Sequence, residues 1–170
     1  MYEWRKIVRD CAVNYSIKEW KHVFKLDPAK EISDDHLAQL CDSGTDAIII
    51  VGTDNITIDN VLELLYRVRR YVIPCVLEVS ELEAITPGFD FYFIPMVLNS
   101  TDKKWMMDIH HEAIKQHKEL MDWDEVKMEC YCIMNPEAKA YQKTSCRLPT
   151  TEDVMAYAFM AEHIFKLPIF

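Results

Sequence analysis

Hydrophobic and polar positions along the chain alternate between two rhythms. Continuous apolar runs of four to eight residues are followed by stretches in which apolar residues recur every three or four positions. Val23 to Leu26 is a short strand candidate stopped by Asp27-Pro28. Ser33 then caps a helix with Leu37, Leu40 and Cys41 on one face, and Gly44 ends it. Asp46 to Val51 is rich in β-branched residues, as a parallel strand buried on both faces requires. Thr57 caps a helix with a Val61, Leu64, Leu65 and Val68 stripe, and Arg67, Arg69 and Arg70 suit its last turn. Ile73 to Val79 is a third strand, with Pro74 among its first residues.

Ser80 opens a stub, Glu81 to Ile85, which the Pro87-Gly88 turn cuts off. A fourth strand is predicted over Phe91 to Ile94. A long helix follows Asn99-Ser100-Thr101, carrying Trp105, Ile109, Ala113 and Leu120. Val126 to Met134 is a fifth strand, and Thr150 or Thr151 caps a helix through Phe165. Leu167 to Phe170 begins a sixth strand.

Strands alternating with helices imply βαβ units and a parallel sheet. Two α/β architectures fit, a doubly wound open sheet and a (β/α)8 barrel, and both place chemistry at the carboxyl ends of the strands. Polar residues collect there: Lys25 and Asp27, Thr53 and Asp54, Glu78 and Ser80, Asn99 and Ser100, and Asn135. They read equally well as site residues and as loop residues or helix caps. A barrel takes about 250 residues, so the 170 here favour the open sheet or an incomplete barrel.

Composition narrows the chemistry. The chain holds three glycines, where the average frequency would give about twelve. No G-x-G-x-x-G or G-x-x-x-x-G-K-[ST] motif is present, so Gly-loop nucleotide binding is excluded. The formal net charge is -9 and no basic run exceeds two residues, which makes nucleic acid an unexpected partner. Six cysteines, without an apolar N-terminal run, read as reduced thiols in a cytoplasmic protein. No apolar stretch has the length of a membrane span.

Four stretches carry a resemblance: Glu19 to Pro28 (E-W-K-H-V-F-K-L-D-P), Ser43 to Ile48, Pro74 to Ser80, and Pro87 to Ser100. Together, in order and with matching spacing, they resemble the bacterial heptaprenylglyceryl phosphate synthases and the related archaeal geranylgeranylglyceryl phosphate synthases. The resemblance runs from about Tyr15 to Phe170, leaving residues 1–14 as an N-terminal extension, expected to be helical. It implies a (β/α)8 TIM barrel with a rudimentary third helix. Here that is an incomplete barrel of about five βα units and the start of a sixth strand.

By the same resemblance, the activity is Mg²⁺-dependent transfer of a long prenyl group, heptaprenyl for the bacterial type, from its diphosphate to the sn-3 hydroxyl of sn-glycerol 1-phosphate. Lys25 matches the glycerol phosphate contact, and Asp27 and Thr53 match the Mg²⁺ ligands. A hard cation on oxygen ligands suits a leaving diphosphate, and Mg²⁺ needs only one or two protein groups. Homodimerisation is a further implication. The prenyl tail needs an apolar groove, with Phe91, Tyr92, Ile94, Met96 and Val97 as candidates if they are not ordinary core.

The match has departures. Val51 and Cys130 stand where the family carries glycine, and the catalytic carboxylate with its phosphate loops falls beyond Phe170. The expectation is therefore a family prenyltransferase whose 170 residues alone are inactive. The alternative is a non-catalytic module that binds a phosphate or prenyl ligand or a protein partner. Cys130 and Cys132 share a strand face and read as structural thiols, and His110-His111 as a solvated surface pair.

Overall fold

The computed structural model describes residues 16–119 and 122–170. The extension expected over residues 1–14, and Leu120 of the fourth helix, lie outside the described residues.

Five strands form one parallel sheet: β1 (Val23–Leu26), β2 (Ala47–Ile50), β3 (Cys75–Glu78), β4 (Phe91–Val97) and β5 (Val126–Tyr131). Their spatial order is their sequence order. A doubly wound sheet reverses direction at a switch point. No such reversal occurs here, so the open-sheet alternative gives way to a barrel wall. The helices between the strands are α1 (Asp34–Cys41), α2 (Ile58–Val68) and α3 (Asp108–His117). After β5 come α4 (Lys139–Lys143) and α5 (Thr151–Phe159), the last continued by a π-helical turn at Met160–Ile164. Ile169 bridges Glu129 in parallel, so the sixth strand begins where expected.

Alternation along each strand builds two layers. Ile48, Ile50, Cys75, Leu77, Tyr92 and Ile94 face the helices and pack on Leu37, Val61, Leu64, Leu65 and Val68. Ile49, Val76 and Phe93 face the concave side, where Trp20, Val23, Phe91 and Ile169 join them. Trp20 follows a short 3-10 helix, Ile17–Glu19, and meets the Phe91 ring edge-on at 5.9 Å. Tyr92 and Ile94 are thus core on the helix side and cannot line a prenyl groove on the concave face.

The helix caps hold as read. Ser33 Oγ accepts from His36 N, and Thr57 forms a reciprocal pair with Asn60. Thr150, not Thr151, caps the fifth helix, in a capping box with Asp153. The stub is a single 3-10 turn, Leu82–Ala84.

Other boundaries differ. The long helix predicted after Thr101 is split into a 3-10 turn (Lys103–Trp105) and α3. The fifth strand stops at Tyr131 rather than Met134. β4 runs three residues beyond Ile94 despite Pro95. Pairing of β3 with β4 ends at Glu78–Phe93, so the missing Pro95 N–H faces no ladder partner there. His110 is not a solvated residue. Its Nε2 lies 2.9 Å from the Pro95 carbonyl, and burial lowers its pKa against the opposing pull of that bond.

Candidate active site

At the carboxyl ends of the strands the concave layer turns from apolar to ionic. Lys25 stands one residue before the end of β1, and its side chain lies among three acceptors. Its ammonium donates to Glu78 Oε2 at 2.7 Å and to Glu129 Oε1 at 3.0 Å, and also to the Tyr131 hydroxyl. That hydroxyl donates to Glu78 Oε2 at 2.8 Å, and the ammonium sits 5.0 Å from the centre of the Tyr131 ring. The register explains the meeting: Glu78 closes β3, and Glu129 and Tyr131 occupy alternate, inward positions of β5.

Burial acts on Lys25, Glu129 and Tyr131. It opposes the charge on Lys25, but Glu78 and Glu129 outweigh it and the ammonium pKa is raised. Glu129 is 6% exposed, and its Oε2 has no hydrogen-bond partner. Burial first, then the neighbouring Glu78 charge, pushes its carboxyl up to about 7 against the attraction of Lys25. Burial and the two carboxylates drive the Tyr131 hydroxyl far above the ordinary phenol range, so it stays a neutral donor.

Beside this cluster opens a cleft of about 230 Å³. Val51, Pro95, Val97, Trp105 and Ile133 give it an apolar wall, and Lys25, Thr53, Ser80 and Lys143 stand at its polar end. Of the five residues considered for a prenyl groove, Val97 is the one that lines it. Lys25 and Thr53 share this cleft. Asp27 lies one step away, against Gly52: a Cβ on Gly52 would fall 2.7 Å from Asp27 Oδ1 and collide with the Ile56 side chain. That Oδ1 accepts from Ala29 N at 3.0 Å.

Two further devices hold the loops. Lys143 of α4 donates to the Thr53 carbonyl at 3.0 Å and to Glu81 at 2.7 Å, while Lys139 pairs with Asp54 at 2.6 Å. Asn99, 2% exposed, donates to the carbonyls of Ile133 and Arg147 and accepts from Ile133 N. Asn99 is therefore a brace between the loops after β4 and β5.

Sequence reasoning named Lys25, Asp27 and Thr53 but gave no role to Glu129 and Tyr131. The available signal was the period-two pattern of β5, with Lys127, Glu129 and Tyr131 on one face and Val126, Met128 and Cys130 on the other. Cys130 is buried, with its thiol donating to the Ile169 carbonyl, and burial raises its pKa, in keeping with a structural role. Burial likewise pushes the Cys75 thiol up to about 12. Among the described residues, no group of three or more His, Cys, Asp and Glu is arranged to hold a metal. None of their helices is long and apolar enough to cross a membrane.

Residues 15–170 match the PcrB family. The chain belongs to that family. It is 62% identical over 156 residues to the heptaprenylglyceryl phosphate synthase of Oceanobacillus iheyensis, an alignment covering 91% of this chain and 68% of that protein. The protein of the same name from a Geobacillus species is 59% identical over 157 residues, covering 92% and 69%. Among solved structures, GGGPS from Thermoplasma volcanium superposes with a TM-score of 0.72 at 21% identity, covering 86% of this chain and 61% of that one. (S)-3-O-geranylgeranylglyceryl phosphate synthase from Thermoplasma acidophilum, solved with its substrate sn-glycerol-1-phosphate, also gives 0.72, at 16% identity and 95% and 64% coverage. This PcrB-family chain thus has the family fold and spans about two thirds of the length of such relatives. Its architecture is that of an incomplete α/β barrel.

Proposed function

We propose that this PcrB-family chain carries the strand-end residues of a prenyltransferase. The reaction is transfer of a long prenyl group, heptaprenyl by the names of its relatives, from its diphosphate to the sn-3 hydroxyl of sn-glycerol 1-phosphate. The observation that carries the reading is the Lys25 ammonium at the carboxyl end of β1, beside a cleft with an apolar wall. An ammonium is a compact charge suited to a phosphate, and the apolar wall suits the first isoprene units of the donor. The donor types fit Mg²⁺: Asp27 and Thr53 offer a carboxylate and a hydroxyl, and Asp27 Oδ1 lies against Gly52, the residue before Thr53. Mg²⁺ usually takes one or two carboxylates and completes its shell with phosphate and water, so a larger protein cluster is not required. Bound there, the ion would neutralise charge on the departing diphosphate. Lys25 would orient the acceptor, and the apolar wall would keep water from the reacting carbon.

The test is incorporation of labelled sn-glycerol 1-phosphate into prenyl ether, with heptaprenyl diphosphate and Mg²⁺. It is run on the chain alone and on the chain joined to the remaining C-terminal segment of the Oceanobacillus iheyensis relative. Product from the joined protein, lost in Lys25→Ala and Asp27→Ala, is expected. No product from the joined protein, or product undiminished by Lys25→Ala, overturns the reading. A second reading, a module that binds phosphate or prenyl ligands or a partner without turnover, is favoured by the β5 edge, which Ile169 meets at a single bridge. Retention of the label by the joined protein without product would decide for it.

A further inference from the structure

One ammonium here serves two carboxylates. Lys25 pairs with Glu78 and Glu129, and the three carry a net charge of -1 when all are ionised. A phosphate dianion bound to the same ammonium adds two more negative charges to a largely buried site. Glu78 and Glu129 have side chains 10% and 7% exposed, so water screens little of that repulsion. Something must neutralise a charge as the phosphate arrives. The group suited to it is already marked, because Glu129 Oε2 is buried with no partner while Oε1 alone engages Lys25.

We propose that Glu129 is a positioning residue of the acceptor site, acting through Lys25 and taking up one proton from solvent when the phosphate of a glycerol phosphate engages that ammonium. The proton goes to Oε2. The carboxylic acid so formed no longer competes for the ammonium, which turns toward the phosphate while keeping Glu78 and Tyr131 behind it. The proposal rests on the reading of Lys25 as the phosphate contact.

The groups facing Glu129 set the direction. Lys25 from β1 favours its ionised form, and Glu78 from β3 opposes it. Tyr131 on its own strand remains neutral, and Phe93 and Pro95 of β4 bring no charge. Lys18, Lys21 and His22 line the far end of the same concave space. Burial together with Glu78 already brings the carboxyl to about 7. A phosphate moves it further up, so the proton is taken up near neutral pH.

The test is calorimetric binding of sn-glycerol 1-phosphate to the 170-residue chain and to the joined protein between pH 5.5 and 8.5, in buffers of different ionisation enthalpy. Glu129→Gln, a neutral isostere, is the comparison, so that ionisation of the phosphate itself cancels. Wild-type affinity relative to Glu129→Gln is expected to be flat below pH 6 and to fall about fivefold between pH 7 and 8, as one linked proton requires. Wild type should take up close to one proton more than the variant at pH 8. Should Glu129→Gln not fold, the Glu129 side-chain carboxyl carbon followed by NMR gives the same answer: its midpoint rises on adding ligand. Binding with a pH-independent wild-type to variant ratio, or an unmoved midpoint, overturns the proposal and leaves the phosphate site standing. No binding by either protein even at pH 5.5, or binding untouched by Lys25→Ala, removes the phosphate site and the proposal with it.

Discussion

Glu129 also makes a prediction about the ligand-free protein. Its carboxyl is pushed up to about 7 in the folded state, from an ordinary value of 4.5. The folded chain therefore binds this proton more tightly than the unfolded chain does. Between those two values the native state holds more protons, so raising the pH through the window costs stability. The cost is absent below about 4.5 and complete above about 7. A difference of about 2.5 units at 1.36 kcal/mol each amounts to about 3 kcal/mol. Carboxyls shifted the other way, such as those of Asp46 and Asp153, gain stability over a lower pH range. They are common to wild type and Glu129→Gln and cancel between them. Urea unfolding at pH 4.5, 6, 7 and 8 should therefore show Glu129→Gln gaining on wild type with pH, by about 3 kcal/mol across the series, or roughly 6–12 °C in Tm for a chain of this size. A gap that stays constant, or narrows as pH rises, would show that Lys25 outweighs burial and Glu78 and that Glu129 is ionised throughout.

Two substitutions probe how the loops hold the site. Gly52→Ala places a Cβ against Ile56 and 2.7 Å from Asp27 Oδ1; overpacking of this kind costs about 1–3 kcal/mol. It should also raise the Mg²⁺ concentration needed for half-maximal turnover in the joined protein, whereas unchanged stability and metal dependence would show that Asp27 yields freely. Asn99→Ala removes four hydrogen bonds, one of them a long one from the Cys146 thiol, and leaves the Ile133 amide without its acceptor, a loss of about 2–4 kcal/mol. A urea midpoint within error of wild type would show that water replaces the side chain.

Legibility from sequence followed the range of the interactions. The strands β2 and β3 were readable because their β-branched runs are local. The caps Ser33 and Thr57 were readable because a hydroxyl reaches only three residues along its own chain. Lys25 and Thr53, named by resemblance, line one cleft in the structure. α4 was missed because five residues with no buried side chain carry no apolar stripe. His110 was misread because its partner, the Pro95 carbonyl, lies on a strand whose length the proline itself concealed. The partners of Lys25 lie 53, 104 and 106 residues away. No local pattern encodes such a meeting; it follows only once strand order and register are known.

That meeting is costly, and the cost bears on function. The lower concave layer is apolar, with Ile49, Val76 and Phe93 packed under Trp20. The same inward face, at Lys25, Glu78, Glu129 and Tyr131, carries one ammonium, two carboxylates and a phenol, with Lys25 in register with Ile49 and Glu78 with Phe93. Burying such groups gives back little net stability, since desolvation offsets the attraction, and apolar residues of like size often serve as well or better. An apolar continuation of the layer was available to the fold, because the neighbouring strands supply apolar residues at the paired positions. The ionic layer instead lies at the strand ends, where barrel enzymes hold their chemistry. Its position and its unbalanced charge together argue that it is kept for a charged ligand rather than for the barrel wall.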